Sequence, residues 1–269
     1  MKISINRSLI QQKYNPLTIT FSGQIWRLLP SPSETNLFVE TRNADERETS
    51  FYAIDVLTGK TLWKGVDGLE NKWWIGMESV QEEVLVLHGF GDKENPGHKG
   101  IFAVSAQTGK LRWRKDDLVY SGMSGNAIEA TKTGSEERFF LDSISGNVLE
   151  NVSYDQKVND RGRMTFPSHY PEGSEYYNIV SGYIKKYIKD DCVFAIDYLE
   201  FAGLVIISYH KKQGEKLSLN LLVLTETNEI FAREILAENL TGISADTFFI
   251  YENALIYIAE KTKLNILNI

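Results

Sequence analysis

Chemistry in this chain would have to come from carboxylates and a few imidazoles. The stretch Ser168-His169-Tyr170-Pro171-Glu172-Gly173 sets an imidazole, a phenol and a carboxylate within one short, proline-stiffened turn. Asp197, Tyr198 and Glu200 follow on an alternating run, and Trp74 and Glu78 lie on an earlier run of the same kind. Two or three carboxylates at one channel mouth would suit general acid/base work on a sugar. His169, Tyr170, Glu172, Tyr198, Glu200, Trp74 and Glu78 are therefore the candidate ligand-binding residues, with no catalytic residue assigned. A plainer reading has Tyr170 and Pro171 fastening a segment to the body of the fold, with Glu200 a solvated charge at a strand end.

Other chemistry finds little support. His88, His98, His169 and His210 include no pair at zinc-site spacing, and H-E-x-x-H is absent, so no metal or cofactor is expected. There is no G-x-S-x-G and no P-loop, and Gly89-Phe90-Gly91 is only a fragment of a dinucleotide pattern, placed between strands. The loop over residues 89–100, GFGDKENPGHKG, contains Asp92, Glu94 and His98. It lacks the D-x-D-x-D-G spacing of an oxygen-ligand loop and reads as a solvated connection.

What would position the candidates is a repeat. Residues 51–63, FYAIDVLTGKTLW, and 101–113, IFAVSAQTGKLRW, share one pattern: an alternating apolar run, Thr-Gly-Lys, and a short run ending in Trp. Phe51, Ala53 and Asp55 point one way along an extended chain, and Tyr52, Ile54 and Val56 the other. Both sets are largely apolar, which predicts a strand covered on both faces. Gly59 and Gly109 are expected at positive φ. Asp55 and Ser105, three residues before each Thr, can accept bonds from turn amides. Each closing Trp can pack on a neighbouring sheet. Weaker copies carry Asp142 and Gly146, and then Asn228 in the glycine's place.

Successive turns are 50, 37 and 82 residues apart, near one or two periods of a propeller blade. The expected fold is all-β: one β-propeller domain over residues 1–269, with five blades of four antiparallel strands, six or seven blades being the alternative. Residues 152–190 break the pattern. Tyr176, Tyr177, Ile179, Val180, Tyr183, Ile184, Tyr187 and Ile188 recur at helical spacing, which predicts a helix over 175–188 within an insertion at about 155–190. Ser174 is placed to cap it, its Tyr/Ile face is expected to be buried, and Gly182 suggests close packing. The alternative is a hidden sixth blade. The chain ends on three strands of a blade, and a strand from residues 1–21 is the natural fourth, pairing with residues 264–269. Ile3, Ile5, Leu9 and Ile10 form an apolar scatter ahead of it.

The pattern Ala53, Asp55, Thr58, Gly59, Lys60, Trp63, repeated as Ala103, Ser105, Thr108, Gly109, Lys110, Trp113, resembles the repeat of quinoprotein-type propellers. That resemblance covers about half of the chain and implies architecture. It does not extend to the quinone cofactor, because the vicinal Cys pair of that group has no counterpart beside the single Cys192. In length and in its Tyr-Pro-Glu-Gly-Ser stretch the chain is also similar to an uncharacterised bacterial family of short propeller-like proteins, which implies no function.

Composition narrows the partners. A net charge of −7 argues against general affinity for nucleic acid or anionic membrane. One cysteine excludes an internal disulfide and suits a reducing compartment. The N-terminus lacks a secretory apolar run, and nowhere are 18 apolar residues consecutive. A cytoplasmic location without membrane insertion is therefore expected. The function expected is a non-catalytic binding or scaffolding module for an unknown protein or small molecule. The alternative is a hydrolase, acting on a glycan with carboxylates at the channel mouth.

Overall fold

A computed structural model describes residues 14–69, 73–81, 83–91, 97–150, 164–244 and 247–269. The described residues are nearly all-β, with 61% strand against 6% helix. No helix among the described residues is long and apolar enough to cross a membrane. The fold divides into two compact units, one over residues 21–162 and one joining residues 163–269 to the N-terminal 20. The apolar scatter at Ile3 to Ile10, the loop residues Asp92 and Glu94, and residues 155–163 of the expected insertion lie outside the described residues.

Strand β1 (Leu17–Thr20) belongs to the unit with the C-terminus. The other unit begins with a four-stranded antiparallel meander of β2 (Gln24–Pro30), β3 (Asn36–Asn43), β4 (Glu48–Asp55) and β5 (Thr61–Lys64). A second meander follows: β6 (Ile75–Gln81), β7 (Val84–Phe90), β8 (His98–Ser105) and β9 (Leu111–Lys115). A third has β10 (Leu118–Ser124), β11 (Ala127–Lys132) and β12 (Arg138–Asp142), with one bridge from Leu141 to Val148 beyond them. Period-2 alternation fills both faces of the middle sheet. Leu85 and Leu87 of β7 pack with Phe38, Ala53 and Met77, while Val84 and Val86 pack with Ile101, Ile128 and Leu141.

The repeated turns do what their residues predict. Gly59, Gly109 and Gly146 have φ of 69°, 70° and 71°, and Asn228 has 63°. Asp55 Oδ1 accepts from the Thr58 amide at 2.7 Å, and Asp142 Oδ1 from the Ser145 amide at 2.7 Å. At the second turn the Ser105 carbonyl takes the Gly109 amide at 2.9 Å. The closing tryptophans link neighbouring sheets: Trp63 Nε1 donates to the Ala106 carbonyl at 2.7 Å, and Trp113 Nε1 to the Ser143 carbonyl at 3.0 Å. Each indole lies over the next turn's glycine. A Cβ on Gly109 would stand 2.8 Å from Trp63, and one on Gly146 2.6 Å from Trp113. Glycine is thus required twice at one position, for its backbone angle and for the space it leaves.

The unit with both termini holds two five-stranded sheets. Its strands are β13 (Met164–Thr165), β14 (Ser168–Pro171), β15 (Cys192–Phe201), β16 (Leu204–Gln213), β17 (Lys216–Thr225), β18 (Ile230–Leu240), β19 (Phe248–Tyr251), β20 (Ala254–Ala259) and β21 (Lys263–Asn268). One sheet runs β1-β21-β20-β19-β13, the other β14-β15-β16-β17-β18. Strand β1 pairs antiparallel with β21, Leu17 opposite Ile266 and Thr20 opposite Lys263, so the N-terminal strand completes the C-terminal sheet as expected. The described part of the insertion makes no sheet of its own. Its first residues, β13 and β14, add one edge strand to each sheet.

The predicted helix forms, with one correction to its packing. Helix α1 (Glu175–Tyr183) starts at Ser174, whose side chain accepts the Tyr177 amide, and runs into a π-helical turn, Ile184–Ile188, closed by Lys189 at φ 66°. Tyr177 and Ile184 are buried, but Tyr176, Ile179 and Tyr187 are 60%, 61% and 58% exposed. An apolar stripe two residues wide spans more of a helix than one sheet can cover, so one row packs and the other faces water. Gly182 also differs from expectation, since a Cβ there would meet nothing within 4 Å.

Candidate functional site

The sequence candidates divide between the two units. His169, Tyr170, Glu172, Tyr198 and Glu200 fall together on β14, β15 and the turn between β14 and α1. Register does this: His169 lies opposite Asp197, and Asp197 opposite Ser208. The buried Asp197 takes His169 Nδ1 at 2.7 Å through one oxygen, and Thr247 at 3.0 Å and Ser208 at 3.4 Å through the other. The Tyr170 ring stacks on Tyr176 at 5.2 Å and lies 6.3 Å from Tyr198. Tyr198 donates to Glu200 at 2.6 Å, and Glu172 accepts the Phe194 amide at 2.9 Å. Each carboxylate is thus bound to a different structural neighbour. Burial, followed by the bond to Glu200, drives the Tyr198 phenol up, so it stays protonated.

Nearby His210 is almost wholly buried, and its Nε2 accepts the Ser244 amide at 3.1 Å. Burial lowers its pKa, against the opposing pull of Asp197. The ring is neutral, with its proton on Nδ1, because Nε2 serves as an acceptor. Burial, with Asp190 and Asp191 adding to it, pushes the Cys192 thiol up to about 12, which favours the protonated form.

Beside Cys192, the buried Asp190 accepts from Tyr209 at 2.7 Å, Lys211 at 2.6 Å and Arg233 at 2.7 Å. Burial alone would raise its pKa, but the bonds from Lys211 and Tyr209 and the nearby cations outweigh it and hold the carboxyl below its ordinary 3.8. A depressed carboxyl pKa contributes stability that is complete above the unfolded value and lost as pH falls through the folded one. The wild type is therefore expected to lose stability as pH drops below about 4, and Asp190→Asn to lose less over that range. At pH 7 that variant should be about 1–3 kcal/mol less stable, because the buried group loses its charge-assisted bonds while Lys211 and Arg233 stay partly solvated. Urea denaturation at pH 7 and at acid pH measures both effects.

Trp74 and Glu78 belong to the other unit and gather different neighbours. Glu78 is the extra residue of a β-bulge, lying where the β6–β7 register shifts between Met77 and Ser79. A second register shift, between His88 and Gly89, leaves Gly100 at φ 83° in β8 and sets His98 opposite Phe90. His88 and His98 consequently stack at 3.7 Å, 12° from parallel, with Phe90 edge-on to both. Glu78 Oε1 lies 3.1 Å from His88 Nδ1 and 2.5 Å from His98 Nδ1. Burial works against the Glu78 charge, but the two imidazoles hold its pKa below the carboxylate range.

The expectation of no metal site rested on linear spacing, and these residues escape that test. One ligand atom from each of Glu78, His88 and His98 lies within 4.8 Å of the others. Gly76, opposite His88, leaves room for its ring, since a Cβ there would lie 2.9 Å from Nε2. The Arg42 guanidinium stands beside them, within 5.0 to 5.8 Å of the Trp26, Trp73 and Phe90 rings, and pairs with the buried Glu40 at 2.8 Å. Trp74, 6.2 Å from Phe90, lines an adjoining cleft of about 290 Å³ with Phe102, Lys99 and Arg114.

Residues 31–113, which include this cluster, match a family described only as a domain of unknown function (DUF4905). No curated protein matches the chain. Among solved structures it is similar to a member of the DUF4221 family from Bacteroides vulgatus, at 8% identity and TM-score 0.38, over 95% of this chain and 96% of that one. TolB from Acinetobacter baumannii matches at 11% identity and TM-score 0.26, over 91% of this chain and 54% of that one. Kuenenia stuttgartiensis hydrazine synthase matches at 11% identity and TM-score 0.24, over 89% and 78%.

Proposed function

We propose that this chain is a non-catalytic binding module: a five-bladed propeller of quinoprotein-type repeats that recognises a protein partner through its inserted helix. The observation that carries this reading is the exposed row Tyr176, Ile179 and Tyr187, each more than half exposed. Such a row of aromatic and aliphatic side chains is the kind of surface that protein interfaces favour. Lys185, Lys186 and Lys189 flank it on a chain of net charge −7, and Lys186 Nζ sits 4.9 Å from the Tyr187 ring. The fitting partner is a protein with an apolar patch rimmed by acidic residues. The blade count rests on four- and three-stranded meanders joined by tryptophan and on the sheet completed by β1. The hydrolase reading is weaker, because Glu172, Glu200 and Asp197 are each engaged by a separate neighbour.

The test uses the full chain as bait beside a variant with Tyr176, Ile179 and Tyr187 each changed to Ser. These sites are exposed, so Ile179→Ser should change stability by less than about 0.5 kcal/mol, and the two tyrosines, which each pack on one neighbouring ring, by about 0.5–1.5 kcal/mol. The wild type is expected to capture a defined acidic protein in a salt-sensitive way, and the triple variant to lose it. Equal capture by both would remove the helix from the reading. Turnover of a glycan that disappears in Glu200→Gln would replace it with the hydrolase.

A further inference from the structure

We propose that Glu78, His88 and His98 form a site for one divalent transition-metal ion, of the zinc class, on the β6–β7–β8 face. Two imidazoles and a carboxylate are borderline donors, which suit zinc and its neighbours and not the all-oxygen preference of calcium or magnesium. Three protein ligands leave a coordination position open for water or a further ligand.

The arrangement departs from an ordinary histidine–carboxylate pair. His88 is 3% exposed, yet neither of its ring nitrogens makes a hydrogen bond within the described structure. Its Nδ1 is 3.1 Å from Glu78 Oε1, but the oxygen does not lie along the ring N–H direction. A buried imidazole that makes no hydrogen bond at either nitrogen, with only the Glu78 contact at Nδ1, is costly, and an ion shared with the carboxylate would satisfy that nitrogen. Donor atoms about 2.1 Å from a tetrahedral ion stand about 3.4 Å apart, off each other's axes. The separation of Glu78 and His88 is close to that value.

The contact between Glu78 and His98 is shorter, at 2.5 Å, and must open by about 0.9 Å when the ion enters. His98 can supply that movement. Its side chain is 40% exposed, and it is the first residue of β8. The stacked rings must tilt from their 12° alignment at the same time. The ion's charge is tolerable beside Arg42, because Glu40, 1% exposed, already balances that guanidinium. Two β-bulges bring the three ligands together, a device that re-aims side chains at functional positions.

The experiment is titration of the chelator-treated full chain with Zn²⁺ by calorimetry, and with Co²⁺ followed by its visible ligand-field absorption. The wild type is expected to bind one equivalent and to melt at a higher temperature with Zn²⁺ present. His98→Ala and Glu78→Gln should each weaken binding by about 100-fold or more, as loss of a ligand exceeds the 10–100-fold cost of losing an outer partner. His169→Ala, which touches the other imidazole–carboxylate pair, should bind as the wild type does. His98 is partly exposed, so its variant can be checked for an unchanged circular dichroism spectrum, which the buried His88 would not allow as safely. A wild type that takes up no Zn²⁺ or Co²⁺ overturns the site. So do His98→Ala and Glu78→Gln proteins that are folded and bind with wild-type affinity.

Discussion

Gly146→Val is expected to destabilise this protein by about 2–6 kcal/mol, and Gly109→Val by a similar amount. Two costs combine. Positive φ, 71° and 70° at these sites, costs a β-branched residue about 1–3 kcal/mol. The new Cβ would also fall 2.6 Å from Trp113 at Gly146 and 2.8 Å from Trp63 at Gly109, and overpacking costs about 1–3 kcal/mol more. The indole cannot simply move away, because its Nε1 donates to Ser143 or Ala106 in the next sheet. Gly125→Val separates the two costs, since Gly125 has φ 55° but an added Cβ would meet nothing within 4 Å. Urea denaturation should rank Gly125→Val as clearly milder. Equal losses at all three sites would mean that the tryptophan contact contributes nothing.

Removing residues 1–20 is expected to have the largest effect of all: a monomer that no longer melts cooperatively, or a soluble oligomer in its place. The deletion takes β1 from the edge of β21 and exposes a row of unpaired backbone groups on an apolar strand. Leu264 and Ile266 on that strand are fully buried. The deletion also removes the bond from Thr18 to Asn265 at 2.7 Å and the contacts of the Tyr14 hydroxyl with Glu234 and Tyr257. Burial, with the bonds to Glu234 and Tyr257 adding to it, raises the Tyr14 pKa strongly, so its phenol is a permanent donor. Light scattering and thermal melting of the truncated chain measure the outcome. A monomer with the wild-type melting temperature would show that β1 merely decorates the sheet.

The local features were legible in the sequence by itself. A turn of Asp or Ser, two residues, Thr or Ser, then Gly is written within five residues, so Gly59, Gly109 and Gly146 could be placed without knowing what surrounds them. The Ser174 cap and the helix after it are equally local. Even the pairing of β1 with the last strand follows from counting strands and asking how an apolar edge is covered. Tertiary structure decided which half of a locally correct pattern is used. Periodicity marks Tyr176, Ile179 and Tyr187 as apolar neighbours of Tyr177 and Ile184, but only the width of the sheet beneath leaves the first three in water. It also decided the candidate site. Glu78, His88 and His98 are ten residues apart in each step, on three different strands, and no local motif joins them. Two one-residue register shifts converge them on one face, and a shift of one residue in a strand reverses which side each side chain takes. Linear spacing carries no trace of that choice, because it is made by hydrogen bonds between strands.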